Sequence, residues 1–186
     1  MTQNNAPRLL LAGTGSGCGK TTVTTAILRA LQRRGVTLSA FKCGPDYIDP
    51  MFHTAVLGVP SRNLDLFFED EAGIRSQLAR HIQPDGLGVI EGVMGFYDGV
   101  SGTTDTASAA HLARATGTPA VLIVRPKGQS LSLAAQIHGF RTFAETTFPQ
   151  ECTRFTNKSQ RKRGCLCSAF CRRFRRPKYL TATLVW

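Results

Sequence analysis

The sequence is short of acid where it is richest in base. Of its 12 Asp and Glu residues only Glu151 lies beyond position 145, whereas 10 of the 23 Lys and Arg residues do. The formal charge of +11 therefore belongs to the last 41 residues; residues 1–145, with 13 basic and 11 acidic side chains, are nearly neutral. A basic surface spread over the whole chain is excluded, and nucleic acid is not the expected partner of the first 145 residues. No apolar run approaches the roughly 18 residues that a membrane-spanning helix needs. Residues 1–7 are polar and lack the apolar core of a secretory signal. The expectation is a soluble, cytoplasmic protein with no membrane partner. Histidine is absent after His138, and Cys152, Cys165, Cys167 and Cys171 follow a C-x12-C-x-C-x3-C spacing that matches no usual zinc arrangement. Neither a metal site nor a disulfide framework is expected there.

What is present is alternation. Arg8-Leu9-Leu10-Leu11-Ala12 is a short apolar run ending in a Gly-rich loop, as a buried parallel strand would. A helix follows from residue 21, with Val23, Ala26, Ile27, Ala30 and Leu31 spaced along one apolar face and Gly35 as its stop. Residues 37–42, 87–90 and 120–124 read as further strands. Residues 50–57, 70–82, 106–116 and 131–144 read as helices, the last with Leu133, Ile137 and Phe140 on one side. Continuous apolar strands alternating with helices predict an α/β fold, a three-layer parallel sheet covered on both faces. Residues 1–145 form this domain. Residues 146–186 break the pattern, with no period of 2 or 3.6 and the basic runs Arg161-Lys162-Arg163 and Arg172-Arg173-Phe174-Arg175-Arg176. Three readings of that segment stay open: an RNA-binding arm, a solvated disordered tail, or translation out of the original frame. The joint change of every compositional property favours the third.

The strongest signal is Gly13-Thr14-Gly15-Ser16-Gly17-Cys18-Gly19-Lys20-Thr21-Thr22, between the first strand and the first helix. Glycines let successive backbone N–H groups turn inward as an anion nest, and the helix N-terminus adds positive potential. Lys20 is placed to reach the β- and γ-phosphates of a nucleotide, and the Thr21 hydroxyl to ligate Mg²⁺. The strict G-x4-G-K-[ST] pattern would have glycine at Thr14. The loop lacks the extra lysine of the partition-type ATPases. Cys18 reads as a small filler residue.

Acidic residues cluster after strand ends. Asp46 and Asp49 follow the second strand in Lys42-Cys43-Gly44-Pro45-Asp46-Tyr47-Ile48-Asp49-Pro50. Glu91 ends the third in Val89-Ile90-Glu91-Gly92-Val93-Met94-Gly95-Phe96-Tyr97-Asp98-Gly99. The carboxyl ends of parallel strands line the ligand crevice, on the side of the phosphate loop. Carboxylates there can hold Mg²⁺ against phosphates. Asp98-Gly99 also fits a plain turn.

In this order G-T-G-S-G-x-G-K-T, F-K-x-G-P-D-Y-I-D-P, F-H-T, P-S-R-N-L-D and E-G-V-M-G-F-Y-D-G resemble the cobyrinic acid a,c-diamide synthase family over about residues 8–143. A more distant likeness is to dethiobiotin synthetase, which shares the loop style. The resemblance implies a dethiobiotin-synthetase-like P-loop fold. It also implies an ATP- and Mg²⁺-dependent amidation of the a and c carboxylates of the corrin ring, with ammonia from glutamine and acyl-phosphate intermediates. Gly15 to Thr22 (Gly15, Ser16, Gly17, Cys18, Gly19, Lys20, Thr21, Thr22) would then hold the nucleotide, with Thr21, Asp46 and Glu91 as metal ligands. Lys42 would neutralise the transferring phosphoryl group, and Asp49 and Asp98 would organise the reacting groups. Tyr47, His53, Arg62 and Asn63 would meet the corrinoid, while Arg125 and Lys127 follow the fourth strand and face either nucleotide or solvent. A homodimer is one assembly this implies. Sister chemistry on another tetrapyrrole, such as a nickel sirohydrochlorin, and a non-catalytic nucleotide-binding module remain the rival readings.

Members of that family carry a C-terminal glutaminase domain with a nucleophilic cysteine and a later His–Glu pair. The cysteines of residues 146–186 lack the Gly-rich strand-to-helix setting such a nucleophile needs. The expectation is a chain truncated inside its ATP-binding domain, with the next strand missing where residues 146–186 begin and a sheet edge and apolar helix faces left uncovered.

Overall fold

In a computed structural model the protein is described over residues 6–144 and, as backbone, over 183–185. The elements are β1(Arg8–Gly13), α1(Lys20–Gln32), β2(Leu38–Cys43), α2(Ile48–Leu57), β3(Ser61–Leu64), α3(Glu71–His81), β4(Leu87–Glu91), α4(Ala109–Thr116), β5(Ala120–Val124), α5(Leu131–Thr142) and β6(Thr183–Val185). They build a parallel sheet in the order β3-β2-β4-β1-β5-β6.

Alternate residues of each strand feed two separate cores, which is why the strands read as unbroken apolar runs. Leu9, Leu11, Ala40, Val89, Val121 and Ile123 face α1 and α2, packing on Val23, Leu28, Leu31 and Leu57. Leu10, Phe41, Ile90, Leu122 and Val124 face the other way, onto Ile74 and Leu78 of α3, Leu112 of α4 and Ile137 of α5. Three layers result, as the alternation predicts.

After β1 the chain crosses β4 to reach β2, and after β4 it crosses β1 to reach β5. The two connections leave in opposite directions, so a crevice opens between the carboxyl ends of β1 and β4. The phosphate loop lies on one side of it, and the segment 92–99 on the other.

Three expectations are corrected, and one strand is added. β3 is a strand, although only Leu64 of Ser61-Arg62-Asn63-Leu64 is apolar; it is an edge strand, paired to β2 alone, and needs only one buried side chain. The buried stripe of α1 is Val23, Thr24, Leu28 and Leu31, with Ala26 and Ala30 outside it. α4 starts at Ala109 rather than 106, because the Ser108 hydroxyl accepts from the His111 N–H and caps the helix there. The sheet does not stop at β5: β6 pairs with it through Leu122↔Thr183, Ile123↔Leu184 and Val124↔Val185. The readings of residues 146–182, including the cysteines and basic runs, lie outside the described residues.

Candidate active site

The phosphate loop turns on Gly17 and Gly19, whose φ values of 69° and 95° favour glycine. Among the described residues no backbone acceptor meets the N–H groups of Gly15, Ser16 or Gly17. Such unclaimed donors at a helix start suit an anion. Lys20, the first residue of α1, folds back over the loop and donates to the carbonyls of Gly15 at 2.8 Å and Met94 at 2.6 Å. Burial, reinforced by the charge of Lys42, draws the Lys20 ammonium below its ordinary pKa despite Cys18, Glu91 and Asp98. Met94 presents its carbonyl from a left-handed backbone, φ 43°, an uncommon state for a residue with a side chain. Thr22 and Ser16 are exposed at the loop's outer rim, Cys18 is tucked beneath it, and Arg125 reaches the Gly17 carbonyl at 3.4 Å.

Beside the loop, sheet register assembles the acids. Lys42 of β2 pairs in register with Glu91 of β4, and Glu91 with Leu11 of β1. Partners in register share a face, so both charged side chains enter the α1–α2 side, where neither is solvated: Glu91 is 0% exposed and Lys42 3%. Lys42 Nζ lies 3.1 Å from Glu91 Oε1 and 3.6 Å from Asp46 Oδ2, makes a short ion pair with Asp49 Oδ2, and donates to the Gly92 carbonyl at 3.3 Å. Thr21 Oγ1 donates to Glu91 Oε1 at 2.6 Å and lies 3.4 Å from Asp49 Oδ2. Burial alone would raise the Glu91 carboxyl, but His53, Lys42 and Thr21 outweigh it and hold the group below the usual carboxylate range. For Lys42 burial is likewise outweighed, by Glu91 and Asp49, and its pKa is raised.

Asp46 and Asp49 differ in place. Asp46 Oδ1 accepts from the Ile48 N–H at 2.9 Å and closes the turn into α2, whereas Asp49 turns inward to Lys42 and Thr21. Asp98, exposed, accepts from the Gly95 N–H at 2.7 Å and fixes the turn opposite the phosphate loop. Among the described residues no three His, Cys, Asp or Glu side chains group as a metal cluster.

The four residues expected at the substrate separate. Tyr47 is 78% exposed at the rim of the crevice. Asn63 pairs in register with Lys42 and shares its face, with its Oδ1 buried and unpaired. Arg62 pairs with Phe41, so it enters the opposite face, where it lines an open cavity of about 670 Å³ with Glu69, Arg80 and His81. It is not brought to the phosphate loop. His53 is 0% exposed and cannot meet a substrate from solvent; its Nε2 lies 3.2 Å from Glu91 Oε2, outside good hydrogen-bond alignment, and its Nδ1 3.3 Å from Ser61 Oγ. Sequence reasoning places Ser61 and Met94 within motifs but gives neither a role; that Ser61 meets His53 emerges only once β3 is known to lie beside α2.

Residues 9–123 match the family model described as the CobQ/CobB/MinD/ParA nucleotide binding domain. The chain is 49% identical over 137 residues to a cobyrinate a,c-diamide synthase of Methanothermobacter thermautotrophicus. It is 47% identical over 137 residues to that of Salmonella typhimurium, and 46% over 135 residues to that of Gloeobacter violaceus. The alignments cover 73–74% of this chain and 30% of each relative, so the chain spans about a third of their length. No helix among the described residues is long and apolar enough to cross a membrane. With the loop, the crevice and the match in place, the chain belongs to the CobQ/CobB/MinD/ParA nucleotide-binding domain family, and over that domain it is similar to cobyrinate a,c-diamide synthases.

Proposed function

We propose that this chain is the ATP-using, carboxylate-activating part of a ligase that amidates a corrinoid polycarboxylate. The supporting observation is the meeting of Lys42, Asp49 and Glu91 with Thr21 at the mouth of the phosphate loop. A nucleotide site built only to bind would not need a buried lysine among carboxylates. Phosphoryl transfer does need a movable cation beside the γ-phosphate, because it relies on positioning and charge neutralisation.

The loop's N–H groups and Lys20 hold the β- and γ-phosphates. Lys20 exchanges the Gly15 and Met94 carbonyls for phosphate oxygens, regaining a charged partner. Mg²⁺ fits the donor set: hard oxygens at 2.0–2.1 Å from an octahedral ion lie about 2.9 Å apart along an edge. The Thr21–Glu91 and Thr21–Asp49 separations of 2.6 and 3.4 Å bracket that value. Thr21, Glu91 and Asp49 would hold the ion, with Asp46 further out, and it would supply charge neutralisation for the phosphates. One or two carboxylates plus phosphate are what Mg²⁺ usually takes. Lys42, released from Asp49, is placed to meet the phosphoryl oxygens as a substrate carboxylate attacks the γ-phosphorus and the bond to ADP breaks. Ammonia then attacks the acyl carbon, and phosphate leaves. Asp98 and the exposed Tyr47 border the crevice where the substrate arrives. Ammonia from glutamine through a glutaminase, a homodimeric assembly and a cytoplasmic setting accompany this reading through the family resemblance.

The test supplies the full chain with ATP, Mg²⁺, cobyrinic acid and ammonium chloride, and follows ADP and corrinoid mass. Corrinoid-dependent ADP release, with hydroxamate formed when hydroxylamine replaces ammonia, is expected. A chain that binds ATP yet releases no ADP in response to any carboxylated tetrapyrrole would refute the proposal.

A further inference from the structure

Glu91 uses its two oxygens differently. Oε1 accepts from Thr21 at 2.6 Å and from Lys42 at 3.1 Å, whereas Oε2 has His53 Nε2 3.2 Å away, in ion-pair contact though not aligned as a hydrogen bond. The carboxylate pivots about its side-chain bonds, so whatever fixes Oε2 fixes where Oε1 points. His53 is the buried group against Oε2, and both side chains are 0% exposed. The imidazole is fixed in turn: Ser61 Oγ, from the start of β3, stands 3.3 Å from Nδ1. Its hydroxyl can donate to a bare Nδ1, which leaves the ring proton on Nε2, facing the carboxylate. His53 of α2 and Ser61 of β3 thus serve Glu91 from behind the crevice.

We propose that His53 is a positioning residue for Glu91, and that Ser61 sets its tautomer. The pair aims Oε1 at the position of a divalent cation beside Thr21. Orienting partners of this kind are worth roughly 10–100-fold in metal affinity. The inference rests on the phosphate-site reading above, and its test separates the two.

The probe is Mn²⁺, followed by its free-ion electron paramagnetic resonance signal. It is titrated into the full chain with a non-hydrolysable ATP analogue; analogue affinity is also measured in chelator, without metal. H53F should weaken Mn²⁺ binding roughly 10–100-fold and leave metal-free analogue binding unchanged. H53Q, whose amide offers a donor to Oε2, should recover most of that loss, and S61A should show a smaller loss than H53F. A purely structural role for His53 would lower both affinities together, and H53Q would not rescue one selectively. Should H53F fail to fold, checked by circular dichroism, H53Q and S61A carry the comparison. Wild-type Mn²⁺ affinity in folded H53F, or parallel loss of both affinities in S61A, overturns the positioning role alone. A wild-type chain that binds no analogue at all overturns the phosphate site itself.

Discussion

Lys42 and Glu91 stand directly opposite each other on neighbouring parallel strands, 3.1 Å apart from Nζ to Oε1, with almost no access to water. A buried ion pair of this sort is weak evidence for stability, since desolvation offsets most of the attraction. Its meaning lies in the asymmetry: one cation faces Glu91, Asp49 and, further off, Asp46. The cluster carries more acid than base, a state that an incoming divalent cation relieves.

Removing the cation should therefore cost much more than removing the pair. K42M leaves Glu91 buried beside Asp49 with less compensation, and should lower unfolding stability by about 3–5 kcal/mol. The double variant K42M/E91Q should recover a good part of that loss, because the fully enclosed carboxylate is then neutral and only Asp49, which keeps some access to water, has lost its lysine. Urea melts of the two variants, combined with E91Q in a double-mutant cycle, measure the coupling. Equal stability of the single and double variants would contradict it.

The same cluster sets a pH window. The folded-state pKa of Glu91 is depressed, so its stabilising contribution is present above the unfolded value of about 4.3 and is lost as pH falls through the lower folded value. Lys42 is raised, so its contribution is present below the unfolded value of about 10.4 and is lost as pH climbs through the folded one. Wild-type stability should fall in acid below about pH 4; in E91Q the acid decline should be shallower. Denaturant midpoints at a series of acidic pH values test the difference.

Burial pushes the Cys43 thiol up to about 12. At pH 8 that leaves about 10⁻⁴ of it as thiolate, against roughly a quarter for an ordinary cysteine near 8.5. Cys43 is enclosed as well as protonated, since it is 2% exposed. It should resist iodoacetamide in the folded chain and react once the chain is denatured, as read by peptide mass spectrometry. Rapid modification in the native state would show that the β2 end opens.

Much of this was legible in the sequence, for stateable reasons. Leu9-Leu10-Leu11 and Val121-Leu122-Ile123 reveal buried parallel strands because both faces of the sheet are covered. The loop from Gly13 to Thr22 reveals the phosphate site because its chemistry is local. What escaped depends on register and on neighbours remote in sequence. That Arg62 enters the sheet face away from Lys42, and that His53 is enclosed behind Glu91, follow from the β2–β3 and β2–β4 pairings. β3 itself was hidden because an edge strand needs little apolar character. Val23 and Leu31 were rightly placed on the α1 stripe, but Ala26 and Ala30 were added to it because Ala counts as apolar in a pattern while having little side chain to bury.

The tightest point of the phosphate loop gives the last prediction. A Cβ on Gly13 would overlap Cys18 Sγ and stand 3.1 Å from both Cγ and Cδ of Lys20. The Gly13 carbonyl also accepts from the Phe96 N–H at 2.8 Å, which ties the loop to the β4–α4 segment. The backbone cannot retreat without breaking that bond, so G13A should act as overpacking, costing about 1–3 kcal/mol. It should also displace Lys20 and weaken ATP binding. If Cys18 is only the filler its burial suggests, C18A alone should bind ATP nearly as the wild type does. G13A/C18A, with the sulfur gone and only the Lys20 methylenes to yield, should regain most of the lost stability and part of the affinity. Thermal melts and calorimetric ATP titrations of the three variants decide it. A double variant no better than G13A would place the obstruction at Lys20, and a C18A chain that cannot bind ATP would give the thiol a role in the site.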